Sequence, residues 1–430
     1  MLGASASGLL ASALLASLAA LPLSSAWQLR RVAKPQDLGT VLSSHKNIST
    51  YYGLVKQYPD ILLQLPNYAG VTLVAPNNNA FTKYELWDPN NKTMVTNFLL
   101  YHIMQGTVST AAVPQGVSTF VSSLLTDPAY TNVTGGQKVI IDKQPDNTVV
   151  FTSGIGSRAT VVEPDIPFTG GLLHIVETLM VPPARLETTT RDYYKDLQSF
   201  LGALYAAGLV SEFADQSNVT ILAPREAAFQ RVAPALAALS KADLANVLRY
   251  HLLPGAVRPS VTFANATHLS TAADGGQKVN LRRAGNNLYF DRAQLLQPDI
   301  LIANGVVHII ADVLNPNATG TPPDPALGTQ TPAYSPASTT DTGLPFVTAL
   351  PCTTDCPVST TAITGGGSAG GGGGNGTGPN ATGAGASTTT DVSSRSSKAL
   401  AAAPRCTGAV AGVGAAGLLG LAGMGLVGLV

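Results

Sequence analysis

The sequence predicts an α+β protein that contains two tandem copies of one small module, with helices packed on a curled, mostly antiparallel β-sheet, followed by a disordered stalk. Three observations predict this architecture. A set of short motifs occurs twice in the same order. Each copy has segments of helical apolar periodicity followed by β-rich runs. After Pro316 the composition changes to Thr, Pro, Ser, Gly and Ala, and the apolar periodicity ends.

The first element is an uncharged N-terminal segment, Met1–Ala26, with an apolar run from Leu9 to Leu23. This run is too short to span a bilayer, but it is typical of a secretory signal peptide. Small residues at Ser24 to Ala26 suit cleavage before Trp27. We therefore predict that residues 1–26 are a signal peptide and that the protein enters the secretory pathway.

The repeat places one module at residues 35–182 and the other at 187–316, each the size of an ordinary domain. The repeated region has no cysteine, so apolar burial must stabilise it. The paired landmarks, first copy before second, are Val71–Phe81 and Val219–Phe229, Leu100–His102 and Arg249–His251, Gly135–Val139 and Gly275–Val279, Glu163–Ile166 and Gln297–Ile300, and Gly171–Ile175 and Gly305–Ile309.

Within each module, the helical segments precede the strands. Apolar residues spaced at i, i+3 and i+4 predict helices at Ser49–Gln57, Lys92–His102, Arg191–Ala207 and Ser240–His251. β-rich runs bounded by Gly, Asn or Pro predict strands at Lys138–Asp142, Thr148–Thr152, Lys278–Leu281 and Asn287–Asp291. The intervening Asp146-Asn147 and Gly285-Asn286 pairs predict hairpin turns.

The C-terminal part predicts a stalk and a lipid anchor. Residues 317–397 are too poor in apolar side chains to form a core. Residues 398–430 end in an uncharged apolar run, Gly408 to Val430, which predicts a GPI-attachment segment that is removed on processing. Ser396 or Ser397 is the expected attachment residue, and we take Ser397, with Ala401 as an alternative. A retained tail helix is the competing interpretation.

Surface chemistry agrees with secretion. Acidic and basic residues number 25 each, so no basic face is expected for nucleic acid. Cys352 and Cys356 can form a local disulfide, remain reduced or link to another chain, whereas Cys406 lies in the predicted anchor segment. Asn-x-Ser/Thr triplets predict N-glycosylation at Asn47, Asn91, Asn132, Asn218, Asn265, Asn317, Asn375 and Asn380.

The repeated landmarks resemble the fasciclin (FAS1) domain family. The resemblance rests on Thr72–Asn77 with Phe81, on the second box at Gly171–Leu179, on the central Tyr101-His102 pair, and on their counterparts in the second copy. The signal peptide, stalk and anchor are similar to fungal cell-surface members. The resemblance implies a non-enzymatic protein of cell adhesion or wall contact. In animal matrix relatives, the Tyr-His region and a Glu-Pro-Asp-Ile segment are implicated in integrin contact.

Candidate ligand-binding residues follow from that resemblance. Four repeat-equivalent histidines also raise a metal or catalytic site as an alternative, but each lies in an apolar stretch without zinc-type spacing. A neutral imidazole bonded to the backbone and an ordinary Pro-Asp turn are the competing structural interpretations. No metal, cofactor or catalytic residue is predicted. The candidate ligand residues are Tyr101, His102, Tyr250, His251, Glu163, Asp165 and Asp299.

Three functions compete at this point. The first is a cell-surface protein of adhesion or of the wall, with partners among wall or matrix glycans and glycoproteins or like modules on other cells. The second is a membrane-tethered protein of the vacuole or another secretory lumen that serves in trafficking or fusion. The third, an enzyme acting on wall polysaccharide, needs paired carboxylates in one cleft, and the sequence nominates none. We expect the first.

Overall fold

A computed structural model describes residues 35–265, 267–318, 322–336 and 343–352. The predicted signal peptide and anchor segment lie outside these ranges, as do Asn375, Asn380 and Ser397. Among the described residues, no helix has the length and hydropathy to cross a membrane. Cys352 is disulfide-bonded, and Cys356, its partner in one of the three interpretations above, lies outside the described residues.

The first module alternates short helices with the strands of one sheet. Short 3-10 turns at Lys46–Ile48, Pro59–Asn67 and Gly154–Gly156 connect several of these elements. The α-helices and strands are α1 (Leu38–Ser44), α2 (Ser49–Gln57), β1 (Val71–Pro76), α3 (Asn78–Lys83), α4 (Lys92–Tyr101), β2 (Ile103–Gln105), β3 (Thr119–Ser122), β4 (Lys138–Lys143), β5 (Val149–Thr152), β6 (Arg158–Phe168) and β7 (Gly171–Val176).

The second module repeats this order of elements. It differs mainly in two features. The helix after its first strand is longer, and additional turns at Thr189–Tyr193 and Lys195–Leu197 lie near the start of the module. The elements are α5 (Leu186–Thr188), α6 (Gln198–Ala207), α7 (Val210–Asp215), β8 (Val219–Pro224), α8 (Glu226–Ala237), α9 (Lys241–Arg249), β9 (Leu252–Leu253), β10 (Thr267–Ser270), β11 (Lys278–Ala284), β12 (Asn287–Phe290), β13 (Ala293–Ile302) and β14 (Gly305–Ile310).

Several helices begin at a polar side chain that caps the first turn. The Oδ1 atoms of Asn77 and Asn91 accept the backbone N–H groups of the third residue along, at 3.0 Å in both cases. Ser240 caps α9 in the same way at 3.1 Å. These caps satisfy N–H groups that would otherwise lack a partner, so they fix where α3, α4 and α9 begin.

Both sheets have the same strand order, β2-β1-β7-β6-β5-β4-β3 and β9-β8-β14-β13-β12-β11-β10. Neighbouring strands are antiparallel except for β1 with β7 and β8 with β14, which are parallel. In the first module, a bridge from Met104 to Ser123 joins the two edges, so the sheet curls on itself. The predicted fold, helices on a curled and mostly antiparallel sheet in each of two modules, is confirmed.

The parallel pairing requires glycine at one position in each module. A Cβ atom at Gly171 would lie 2.0 Å from the carbonyl oxygen of Val71, and one at Gly305 would lie 1.9 Å from that of Val219. A side chain at either position would therefore collide with the neighbouring strand. This glycine occurs in both copies because β7 begins directly beside β1, and β14 begins directly beside β8.

The apolar core of each module has two layers. In β1, Leu73 and Ala75 face the cluster between sheet and helices, whereas Val74 faces the cluster inside the curled sheet. Alternation along a strand places successive side chains on opposite faces, so a strand buried along its whole length contributes to both layers. β8 is also buried throughout and serves both layers of the second module.

Most predicted elements match the structure within a few residues, but the continuous helix at Arg191–Ala207 is wrong. The chain forms a π-turn at Thr189–Tyr193 and a 3-10 turn at Lys195–Leu197 before α6 begins. Leu197 is buried in the core, and the N–H of Ser199 bonds to the Glu226 carboxylate at 3.0 Å. These tertiary contacts start a new helix at Gln198, which apolar spacing alone does not reveal.

Candidate functional site

The two Tyr-His pairs occupy equivalent places at the ends of α4 and α9. All four side chains are 0% exposed. The Tyr101 hydroxyl donates to the Lys138 carbonyl at 3.0 Å, and the Tyr250 hydroxyl donates to the Lys278 carbonyl at 2.9 Å. The Asp291 carboxylate lies 2.8 Å from the same Tyr250 oxygen, so the two acceptors share its one hydroxyl proton. The hydroxyl groups thus tie α4 to the start of β4 and α9 to the start of β11.

The histidines of these pairs connect the helix to the last segment of the module. Nδ1–H of His102 donates to the Phe98 carbonyl at 2.8 Å, and Nε2 accepts the N–H of Met180 at 3.0 Å. His251 makes the equivalent bonds to Val247 and Leu314, each at 2.9 Å. Burial lowers the pKa of His102 to about 3 and that of His251 to about 4. Both imidazoles are therefore neutral at physiological pH.

The other repeated histidines hold the segment that includes the Glu-Pro-Asp-Ile motif. Nδ1 of His174 accepts the N–H of Asp165 at 3.1 Å, and its Nε2–H donates to the Val108 carbonyl at 2.8 Å. His308 accepts the N–H of Asp299 at 3.1 Å in the same way. Burial lowers the pKa of both histidines. Their repetition in sequence thus matches a repeated hydrogen-bond network.

Asp165 and Asp299 lie at bulges inside long strands, not at turns before them. Their φ angles are 54° and 65°, and the register of β6 on β7 and of β13 on β14 shifts beside them. The Asp165 carboxylate accepts the N–H of Thr110 at 2.9 Å, and that of Asp299 accepts the N–H of Ser260 at 2.8 Å. Each aspartate therefore pins a crossing loop to its bulge.

Glu163 is the more accessible of the two acidic residues in the motif, with a side chain 44% exposed. Its carboxylate accepts the Nδ2–H of Asn47 at 2.7 Å and lies 3.9 Å from Nε2 of His45. Ligand binding by the seven predicted residues stays a prediction. Tyr101, His102 and their counterparts in the second module do not reach the surface, so a surface ligand would have to act through Glu163 or through other groups.

The glycosylation triplets differ in their surroundings. Asn47, Asn91, Asn265 and Asn317 are exposed, whereas Asn132 and Asn218 are half-buried where the modules meet. Nδ2 of Asn132 donates to the Asp215 carbonyl at 2.6 Å. Nδ2 of Asn218 donates to the Thr134 hydroxyl at 2.7 Å. Sugar attachment at these triplets stays a prediction.

The two modules contact each other through backbone and side-chain hydrogen bonds. The Ala303 carbonyl accepts the N–H of Asn132 at 2.9 Å and the Thr131 hydroxyl at 3.1 Å. Gln137 is buried and donates to the Ile302 carbonyl at 3.2 Å. Because these bonds satisfy buried polar groups of both modules, they hold the tandem together as one unit.

An open cleft with a volume of about 670 Å³ lies at this junction. We call it the junction cleft. Its walls come from both modules and from the connecting segment, and they are rich in aromatic and apolar side chains. The lining residues are Tyr84, Trp87, Asn91, Thr93, Met94, Phe98, Ala129, Tyr130, Ile155, Leu179, Met180, Val181, Pro182, Pro183, Ala184, Arg185, Thr188, Tyr193 and Ala303.

Packing contacts give the cleft a fixed aromatic wall. The Trp87 ring lies 4.8 Å from Phe98 and 5.2 Å from Phe81, measured between centroids. A Cβ atom at Gly154 would lie 2.4 Å from Cα of Pro183, so the connecting segment packs directly on the first module. The cleft is therefore part of the folded structure and does not require a loop to close over it.

Sequence reasoning missed this cleft. Its residues are scattered along the chain: most lie in the first module, and the connecting segment and a few residues of the second module complete the wall. One signal existed: Tyr84 and Trp87 break the repeat, because the positions at the same offset as Val71 and Val219 hold Val232 and Ala235. Within the described ranges, no three His, Cys, Asp or Glu side chains gather as a metal site.

The fasciclin domain model matches residues 46–182 and 195–316. A fasciclin-like arabinogalactan protein of Arthroderma benhamiae is 28% identical over 75% of this chain and 76% of its own length. The fasciclin-like arabinogalactan protein elcF of Phaeosphaeria nodorum is 29% identical over 64% of this chain and 88% of its own.

A FAS1 domain pair from the insect cell adhesion molecule Fasciclin I is 14% identical and covers 64% of this chain and 98% of its own, at a TM-score of 0.32. That score is too low to support a conclusion. The two family matches, in contrast, coincide with the two sheets and their helices, and together they span more than half of the sequence. The chain belongs to the fasciclin domain family and carries two tandem copies of that domain.

Proposed function

We propose that this protein is displayed at the cell surface and binds wall or matrix glycans and glycoproteins, or like modules on another cell, in adhesion or wall association. The proposal rests on the tandem arrangement of the modules. Two fasciclin modules have the same strand order and are joined to each other by hydrogen bonds. The relatives named fasciclin-like arabinogalactan proteins support a cell-surface or wall setting. The family is one of non-enzymatic modules, which favours binding over catalysis.

The docked pair gives a physical advantage to weak binding. When two binding surfaces are linked, the second contact forms at an effective concentration that the link sets, so the combined affinity exceeds that of either module. The hydrogen bonds at the junction fix the spacing of the two surfaces. A ligand with repeating units, such as a polysaccharide, can engage both surfaces without rearranging the protein.

Membrane attachment is a second part of the proposal. Part of the segment predicted as a stalk, 317–397, contacts the second module, because Tyr334 and Phe346 pack against its core. The rest of the predicted stalk and the predicted GPI segment at 398–430, with Ser397 as attachment residue, would hold the modules outside the membrane. Release of the protein from intact cells by a phosphatidylinositol-specific phospholipase C is the expected result. Retention after that treatment would contradict the GPI anchor.

A binding and deletion experiment tests the function. The full-length protein should bind components of wall extracts or arrayed wall glycans. Deletion of the gene should reduce adhesion or wall integrity. Restoring the wild-type gene is the control. Unchanged adhesion, wall integrity and extract binding would contradict the proposal, and location of an internally tagged protein in the vacuole would favour the trafficking alternative.

A further inference from the structure

We propose that the junction cleft is a binding site for a small, neutral molecule that has an aromatic ring and a carbonyl or hydroxyl oxygen. This inference goes beyond the proposed surface function and does not depend on it. Such a ligand would lie between the two modules, with its ring against the aromatic wall around Trp87 and its oxygen within reach of the tyrosine hydroxyls.

The size and lining of the cleft fit this class of ligand. Small-molecule sites are typically clefts of about 300–1,000 Å³ with mostly apolar walls and a few polar groups. The junction cleft has a volume of about 670 Å³. Trp87, Met94 and the buried Phe98 and Met180 form much of its apolar wall. A polysaccharide chain, which carries many hydroxyl groups, would leave most of its polar atoms unsatisfied against these walls.

Three tyrosines supply the polar groups. Tyr84 and Tyr130 belong to the first module, Tyr193 lies in the turn that leads into the second, and all three line the cleft. In the described part of the chain, none of their hydroxyls has a hydrogen-bond partner, so each can donate to a ligand oxygen. Burial raises the pKa of Tyr84, and its interaction with the two other tyrosines raises it further. The three phenols therefore stay protonated at neutral pH.

The charge around the cleft favours a neutral ligand. The lining cation, Arg185, already bonds to Asp215 at 2.8 Å and to Glu187 at 3.1 Å. Its charge is therefore matched within the protein and is not available to a ligand carboxylate or phosphate. The other polar side chains of the lining, Asn91, Thr93 and Thr188, are uncharged. Neutral hydrogen-bond acceptors thus complement the cleft better than anions do.

A fluorescent probe tests the proposal. Prodan is a neutral naphthalene with one carbonyl group, and its emission shifts to the blue in an apolar site. Titration into the full chain should give saturable binding with a blue shift. The exposed Ala129 offers a steric block, because Ala129→Arg places a long side chain in the cleft from its rim. This variant should weaken binding at least tenfold, whereas its circular dichroism should match that of the wild type.

A hydroxyl-deleting variant then tests the polar contact. The triple change Tyr84→Phe, Tyr130→Phe and Tyr193→Phe keeps the rings, so binding of prodan should weaken about fivefold, the value of one net hydrogen bond. 2-Dimethylaminonaphthalene, which lacks the carbonyl, should bind the triple variant and the wild type equally. A matched control changes three half-buried tyrosines of the first module that lie outside the cleft, Tyr52, Tyr58 and Tyr68, to Phe, and it should bind prodan as the wild type does.

Three results would overturn the proposal. The first is an absence of saturable prodan binding to the wild type. The second is equal binding by Ala129→Arg, which would place the probe elsewhere on the surface. The third is unchanged prodan affinity in the cleft triple variant, which would show that the hydroxyls do not contact the ligand. Because wall-extract binding is measured separately, each of these results leaves the test of the surface function intact.

Discussion

The buried histidine of the first module predicts a specific loss of stability in acid. His102 is 0% exposed, and its folded pKa is lowered to about 3 from an ordinary value of 6.5. Because the folded pKa lies below the unfolded one, the stabilisation by the neutral imidazole is fully present above pH 6.5. It is lost as the pH falls towards the folded pKa, since protons then bind mainly to the unfolded chain.

The magnitude follows from the two pKa values. At pH 5 the unfolded imidazole is almost fully protonated, whereas the folded one is neutral, so His102 should lower the free energy of unfolding by about 2 kcal/mol between pH 7 and pH 5. The variant His102→Gln cannot titrate in this range. It will be less stable at pH 7, because it disturbs the bonds to Phe98 and Met180, but its stability should change less with pH.

Urea unfolding at pH 7, 6 and 5 measures the effect. Trp87 lies in the first module, so its fluorescence in a Trp27→Phe background reports on that module. The wild type should lose about 2 kcal/mol more than His102→Gln over this range. His251→Gln is the matched control, because it removes the equivalent imidazole from the second module and should leave the slope at Trp87 unchanged. Equal pH dependence in the wild type and His102→Gln would refute the reasoning.

Three further predictions concern packing and hydrogen bonds. Gly305→Ala should destabilise the second module by more than about 3 kcal/mol, measured by thermal unfolding, because the new Cβ atom would lie 1.9 Å from the Val219 carbonyl oxygen. Tyr250→Phe should cost about 2 kcal/mol in urea unfolding and Tyr101→Phe about 1 kcal/mol, since only Tyr250 also bonds to a carboxylate; equal costs would contradict this. Asn132→Ala should remove a bond across the junction and speed limited proteolysis between the modules, and unchanged cleavage would argue against that bond.

The repeat made the fold predictable, because each module shows the same landmarks at the same places in its sheet. A glycine begins both β7 and β14 because a parallel strand approaches closely there, and the repetition of the motif makes this tertiary constraint visible in the sequence. The start of α9 at Ser240 is similarly visible as a cap followed by apolar periodicity. In these elements, local preference and tertiary packing agree.

The candidate site was not predictable in the same way. Tyr84, Tyr130 and Tyr193 belong to no shared motif: folding of the first module brings Tyr84 and Tyr130 to the cleft, and the turn at Thr189–Tyr193 adds the third tyrosine. The Tyr-His pairs, which the family resemblance nominated, form buried bonds within each module, and ligand binding by them stays a prediction. Glu163 keeps its accessibility, so a contact through it stays a prediction.

The parallel pairing at the centre of each sheet has a consequence for biosynthesis. β1 cannot complete its hydrogen bonds until β7, about a hundred residues later in the chain, has been made. Each module must therefore wait for its own last strand, and β1 keeps one edge uncovered until that strand pairs with it. The first module can close before the ribosome finishes the second, so the junction assembles from a folded half and a newly closing one.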